Sequence, residues 1–209
     1  MPENALVAFA TFFATVGPPD VAVIFAALTV ANTPRERLRL ATKAILIGAG
    51  ILLFFAFFGK QLLTHLGISL AAMRTAGGVL LMLIAIDMVF ARTSGGTSTT
   101  SEENREAARA ADISVFPMAT PLIAGAGTIG AVILLAAETQ GDPYELSIVM
   151  GALMAVLLVT YLMMIAASQV QRILGVTGVH VVTRVMGILL AALAIQFLFD
   201  GIRQSGILS

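Results

Sequence analysis

This chain of 209 residues has no cysteine, no tryptophan and only two histidines, and charged side chains fill just 11% of its positions. Each shortage removes a class of function. Without cysteine there are no disulfides, no thiolate metal sites and no cysteine nucleophiles, and the redox compartment is left open. His65 lies beside a connection and His180 at the start of an apolar stretch, poor material for a histidine metal site, so neither metal nor cofactor is expected. Twelve basic residues balance twelve acidic ones, which leaves no basic surface for nucleic acid and no acidic tail for a basic partner. No Lys or Arg precedes the first apolar run and Glu3 stands before it, so the first segment reads as a retained span rather than a cleaved signal peptide.

Apolar residues, by contrast, make up 58% of the chain, and its mean hydropathy is +0.97. Six membrane spans of about 20 residues would need roughly 120 apolar positions, close to what the composition supplies. The expected fold is therefore all-α and polytopic. Uncharged windows and apolar stretches place six helices at about Ala5 to Ala31, Leu40 to Leu63, Leu66 to Ala91, Ile113 to Ala137, Leu146 to Val170 and His180 to Ile202. Residues 92–112 (RTSGGTSTTSEENREAARAAD) are Ser, Thr, Gly and charge, a solvated linker between residues 1–91 and 113–209. Arg35, Arg37, Arg39 and Lys43 crowd the first connection, while ETQGDPYE in the fourth has three acids and no base. The positive-inside rule makes the first connection cytoplasmic and puts both termini outside. Only Tyr144 stands where an interfacial aromatic anchor is expected.

The two halves look like copies. GISLAAMRTAGGVLLMLIAIDM in the third span aligns with GVTGVHVVTRVMGILLAALAIQFLFDGI in the sixth, matching Arg74 to Arg184 and Gly77 to Gly187, and TVGPPD in the first span corresponds to FPMATPLIAGAG in the fourth. Each half has three spans, an odd number, so the copies must be inverted relative to each other, a recurring plan of secondary transporters.

These same blocks, with DISVFPMATPLIAGAGTIGAV, resemble the MarC family of bacterial and archaeal inner-membrane proteins over nearly the whole chain outside the linker. The resemblance implies a multi-pass protein of the bacterial inner membrane that transports small neutral amino acids, chiefly glycine and alanine. Most relatives carry Asn-Pro, then Ile-Gly and a further Pro, in the first span. Here the chain reads Gly17-Pro18-Pro19-Asp20, with Val23 at the later proline position and Ala126 replacing a proline in the fourth-span motif. A carboxylate thus stands almost where the relatives have the Asn.

Gly17-Pro18-Pro19 cannot continue a regular helix, because the prolines remove two amide donors and crowd the preceding carbonyls. Pro117, Pro121, Gly125 and Gly127 should likewise interrupt the fourth span. Paired interruptions at corresponding places are the best sequence pointer to a transporter's site, since freed backbone groups are tolerated in lipid only against protein or a wet cavity. Helix-start amides attract a carboxylate and freed carbonyls an ammonium or cation, and an amino-acid zwitterion has both. The expected substrate-binding set is Thr15, Gly17, Pro18, Thr120, Pro121, Gly125, Gly127 and Thr128, with small residues favouring glycine, alanine or serine. Packing kinks are the plainer alternative for the same residues.

Asp20 either caps the half-helix after the break or couples transport to a proton or sodium ion. Arg74, Asp87, Arg184 and Asp200 are the other charges in or near spans. If the third and sixth spans adjoin, Arg74 with Asp200 and Asp87 with Arg184 would form two ion pairs, as static bolts or as gates. No nucleophile with a nearby base stands out, so an enzyme is not expected. The competing reading is a membrane interaction or assembly protein without a solute path. Beyond lipid and the small-molecule substrate no partner is implied. An oligomer is compatible with the sequence, but no stretch singles out an interface.

Overall fold

The computed structural model describes residues 2–90 and 112–206, and among them every regular element is a helix. In chain order these are α1 (Pro2–Val16), α2 (Pro18–Leu28), α3 (Pro34–His65), α4 (Leu70–Phe90), α5 (Ser114–Ile123), α6 (Ala126–Glu138), α7 (Pro143–Ile165) and α8 (Ala167–Gln204). Apart from Asp112, the linker expected at 92–112 lies outside the described residues. Among the described residues five segments are long and apolar enough to cross a membrane, with α1 and α2 counted together as Asn4–Leu28, and there are six if the bent pair α5–α6 is one span.

Local chemistry explains the starts. Pro34 occupies the first turn of α3, where a missing N–H costs nothing. Just before it, the Glu36 N–H donates to the Thr33 hydroxyl at 3.4 Å while the Thr33 N–H donates to the Glu36 carboxylate at 2.7 Å, a reciprocal capping box. Helix α7 repeats the plan with Asp142 as cap, accepting from the Tyr144 N–H at 2.9 Å, and Pro143 in the first turn.

The end of the chain differs from the sequence expectation. A connection was expected between Val170 and His180, yet α7 stops at Ile165 and α8 runs unbroken over 38 residues from Ala167. That stretch holds no proline, and its glycines alone do not stop a helix that a long apolar segment continues. At 1.5 Å per residue α8 is about 57 Å long, well beyond a bilayer core of about 30 Å. Its Thr183–Gln204 portion is long and apolar enough to cross a membrane.

Helices α4 and α8 lie against each other antiparallel and very close. A Cβ on Gly78 would stand 2.8 Å from the Ala194 carbonyl oxygen, one on Gly187 2.8 Å from the Met88 Cβ, and one on Gly201 2.3 Å from the Thr75 Oγ1. Lipid provides no hydrophobic drive between helices, so backbone approach at small residues holds such a pair together. Around this pair the first three spans pack chiefly on the last three: α1 and α2 on α7 and α8, and α5 and α6 on α3 and α4. Phe12, Phe25, Leu52, Met118, Ile123, Leu153 and Leu157 fill the centre. Exposed Phe54, Phe57, Phe58, Leu158, Leu162 and Ile188 form an outer surface suited to acyl chains.

Candidate functional site

The two interrupted spans are built differently. In the first, Gly17 alone takes a left-handed conformation (φ 62°, ψ 58°), which glycine adopts without a Cβ penalty. The ladder resumes at once, with the Gly17 N–H donating to the Phe13 carbonyl and the Val21 N–H to the Gly17 carbonyl, both at 3.0 Å. Pro18 and Pro19 have no N–H, so the Ala14 and Thr15 carbonyls lose the donors a continuous helix would give them. The expected break is present but only one residue wide.

The fourth span opens much further. Phe116 and Thr120 take extended backbone angles, the Phe116–Pro117 and Thr120–Pro121 peptides are cis, and α5 meets α6 at a 55° bend. Its turns are wide: the Met118 N–H donates to the Ile113 carbonyl at 3.2 Å and the Ala124 N–H to the Ala119 carbonyl at 2.8 Å, each five residues back. Gly125 then caps α6 in an extended conformation. Glycine is required at 125 by close approach, because a Cβ there would lie 2.5 Å from the Pro121 carbonyl oxygen, whereas one on Gly127 would displace only the end of the Ile84 side chain, 2.3 Å away.

Among the expected hydroxyls the geometry discriminates. Thr15 is buried but its hydroxyl donates back to the Thr11 carbonyl at 2.9 Å, so its donor is spent within α1 and is not offered to a ligand. The Thr120 hydroxyl turns to the Val115 carbonyl at 3.3 Å. Thr128 is 1% exposed, and its Oγ1 has no hydrogen-bond partner among the described residues. A buried hydroxyl without a partner is costly and calls for an explanation. Pro18, Gly125 and Gly127 are buried, whereas Gly17 and Pro121 are half-buried.

Asp20 and Thr128 hold equivalent places, each the third residue of the half-helix that follows its break. The Asp20 carboxylate is half-buried and accepts the Thr183 hydroxyl of α8 at 3.0 and 3.2 Å. It therefore ties the start of α2 to α8. Thr183 was not singled out from sequence, because a threonine in a long apolar helix has no signal of its own until a neighbour arrives. The two breaks thus leave a carboxylate on the first turn of α2, held by α8, and an orphaned hydroxyl on the first turn of α6.

The charges pair otherwise than expected. Arg74 Nη2 donates to Glu138 Oε1 at 2.5 Å, with side-chain exposures of 11% and 30%, and not to Asp200. Helices α4 and α8 do adjoin, but the end of α6 also packs on α4 and delivers Glu138 to the guanidinium first. Asp200 instead accepts from Gln196 at 3.2 Å, one turn earlier on its own helix. Among the described residues no ion pair joins Asp87 to Arg184, whose side chain is exposed. Beside Glu138 opens a cavity of about 470 Å³, lined also by Asn4, Gln140, Asp142 and Glu145.

Asp112, just before α5, accepts from the Lys43 ammonium and from the Ser114 hydroxyl and, at 3.0 Å, the Ser114 N–H. Lys43 first, then Ser114, holds its carboxyl down to about 2 from the usual 3.8. A depressed carboxyl adds stability above its ordinary value, and that contribution fades as pH falls through about 2. Carboxyl-labelled NMR titration is expected to find Asp112 near that value in the parent and higher in Lys43→Met, though still below 3.8 because the Ser114 hydroxyl and N–H remain. An unmoved titration in the variant would show that the ammonium does not hold it.

These features define an integral membrane protein of five or six spanning helices, with two spans interrupted by Gly and Pro. Residues 3–205 match the family described as MarC family integral membrane protein, and the chain belongs to it. It is 36% identical over 200 residues to a UPF0056 membrane protein of Methanocaldococcus jannaschii, covering 95% of each chain. It is also similar to the UPF0056 membrane protein YvbG of Bacillus subtilis, 34% identical over 93% of this chain and 92% of that one. With the UPF0056 membrane protein YhcE of Escherichia coli it shares 33% identity over 93% and 90%. No solved structure matches.

Proposed function

We propose that this chain is a secondary transporter of small neutral amino acids, glycine and alanine foremost, working in the inner membrane by alternating access around the interrupted spans. The observation that carries the reading is the buried, partnerless Thr128 hydroxyl on the first turn of α6. It stands where backbone amides and the positive end of the helix dipole attract a carboxylate. The small residues Gly125, Ala126 and Gly127 beside it favour a substrate with almost no side chain.

An inverted repeat of residues 1–91 and 113–209 forms part of the proposal. Support comes from the main packing contacts, which are exchanged with the halves. That exchange turns the contact of α1–α2 with α7 into that of α5–α6 with α3, and the contact of α1–α2 with α8 into that of α5–α6 with α4. The α4–α8 pair maps onto itself. In this reading both termini face the periplasm, Arg74, Glu138 and Asp200 lie toward that face, Asp87 and Arg184 lie toward the cytoplasm, and Asp20 is the coupling group for a proton or sodium ion. Export and import are the same cycle run on opposite gradients.

Counterflow of radiolabelled glycine and alanine in proteoliposomes, with imposed proton and sodium gradients, tests the reading. The parent is expected to exchange both amino acids, and Asp20→Asn to keep exchange while losing gradient-driven accumulation. Well-folded protein that gives no counterflow under any gradient would end the transporter reading in favour of an assembly role. Unaltered accumulation in Asp20→Asn would remove Asp20 from coupling.

A further inference from the structure

Apart from Lys43 on Asp112, the basic start of α3 serves none of the roles above. Helix α3 spans 32 residues, about 48 Å at 1.5 Å per residue, against a bilayer core of about 30 Å. Its first turns therefore stand at the level of the lipid headgroups. There an open, shallow hollow of about 500 Å³ lies along one face of the helix, lined by Arg35, Arg39 and Lys43 together with Leu38, Leu46 and Ile47.

The three cations recur every four residues and so share one helix face. Their bookings differ. Lys43 is paired with Asp112, and the neighbouring Arg37 sits over the Phe25 ring with its guanidinium carbon 6.0 Å from the centroid. Among the described residues neither Arg35 nor Arg39 enters an ion pair, and both are exposed. The one acid in that turn, Glu36, is held by Thr33 in the capping box. Their Cα atoms stand one turn apart, about 6 Å along the helix axis, so that both long side chains can reach a single phosphodiester, and each presents a fork that matches its oxygens.

Below them the hollow turns apolar. Leu38 is 47% and Leu46 66% exposed. Leu46 lies 11 residues beyond Arg35, about 16 Å deeper along the helix axis. That sequence of groups, two unpaired cations and then an exposed apolar strip, matches a headgroup phosphate followed by an acyl chain. We propose that the hollow along the start of α3 binds an anionic phospholipid, with the phosphate on Arg35 and Arg39 and an acyl chain over Leu38, Leu46 and Ile47. The positive-inside distribution assigns this end to the cytoplasmic leaflet, whose anionic lipids are drawn to basic side chains near the surface.

The full-length protein is tested in detergent by native mass spectrometry against phosphatidylglycerol, phosphatidylcholine and inorganic phosphate. Retention of phosphatidylglycerol over phosphatidylcholine is expected. Each neutralised arginine should weaken it roughly fivefold, so that Arg35→Gln with Arg39→Gln loses on the order of 25-fold. Equal retention of both lipids, or of phosphatidylglycerol by the double variant, would overturn the proposal, as would full competition by millimolar phosphate. Should the double variant fail to fold, a phosphatidylglycerol with a photoreactive acyl chain decides the matter on the unaltered protein. Crosslinks at Leu46 or Ile47 support the site, and crosslinks confined to other helices refute it.

Discussion

Thr128→Val is expected to make the protein more stable and a worse transporter. Valine keeps the shape of threonine and removes only the hydroxyl, which is 1% exposed and has no partner among the described residues. A buried polar group left unsatisfied costs about 1 to 3 kcal/mol, so its removal should raise the unfolding free energy by about 1 kcal/mol. If that hydroxyl is kept for substrate, its loss should raise the half-saturating glycine concentration for counterflow about tenfold, or ~1.4 kcal/mol. Thermal unfolding in detergent and counterflow in liposomes measure the two effects on one preparation. A stabilised variant with unaltered counterflow would reduce Thr128 to a packing defect, and a destabilised one would mean that the hydroxyl is already satisfied.

Arg74→Leu should be the most damaging single change among the charges. It strands Glu138 in a mostly buried place, on the same side of the bundle as Asp200, without the guanidinium that faces it at 2.5 Å. Losing one partner of a buried pair costs about 3 kcal/mol or more, whereas replacing both by apolar side chains is often close to neutral. Arg74→Leu should therefore lower the unfolding midpoint by about 6 to 12 °C, at about 2 to 4 °C per kcal/mol for a chain of this size. Adding Glu138→Leu should recover most of the loss. A double variant as unstable as the single one would show that Arg74 contributes by packing its stem rather than by pairing.

Much of the architecture was legible in the composition and spacing. Long uncharged windows locate helices in any protein that crosses a bilayer, because every backbone group must be satisfied within its own segment. The proline and glycine clusters marked both interrupted spans for the same local reason. Their widths were not legible: one left-handed glycine restores the ladder after Gly17, while Pro117 and Pro121 keep α5 open for ten residues. The boundary between α7 and α8 was misplaced because nothing local separates a helical extension from a polar connection when no proline intervenes.

Pairing is where sequence reasoning reached its limit. Arg74 was matched to Asp200 from the antiparallel run of two helices, and those helices do adjoin, but the partner is Glu138 at the end of a third. Thr183 on Asp20 and the orphaned Thr128 are of the same kind, since each depends on what stands a few ångströms away from an element distant in sequence. By itself the sequence determined a helical membrane protein, its spans, its two interruptions and the basic start of α3, all of which follow from hydropathy, missing amide donors and charge along the chain. Only the tertiary structure decided which hydroxyl is spent, which is left over and which acid meets which base, because hydrogen bonds and ion pairs act over about 3 Å between side chains that only folding brings together.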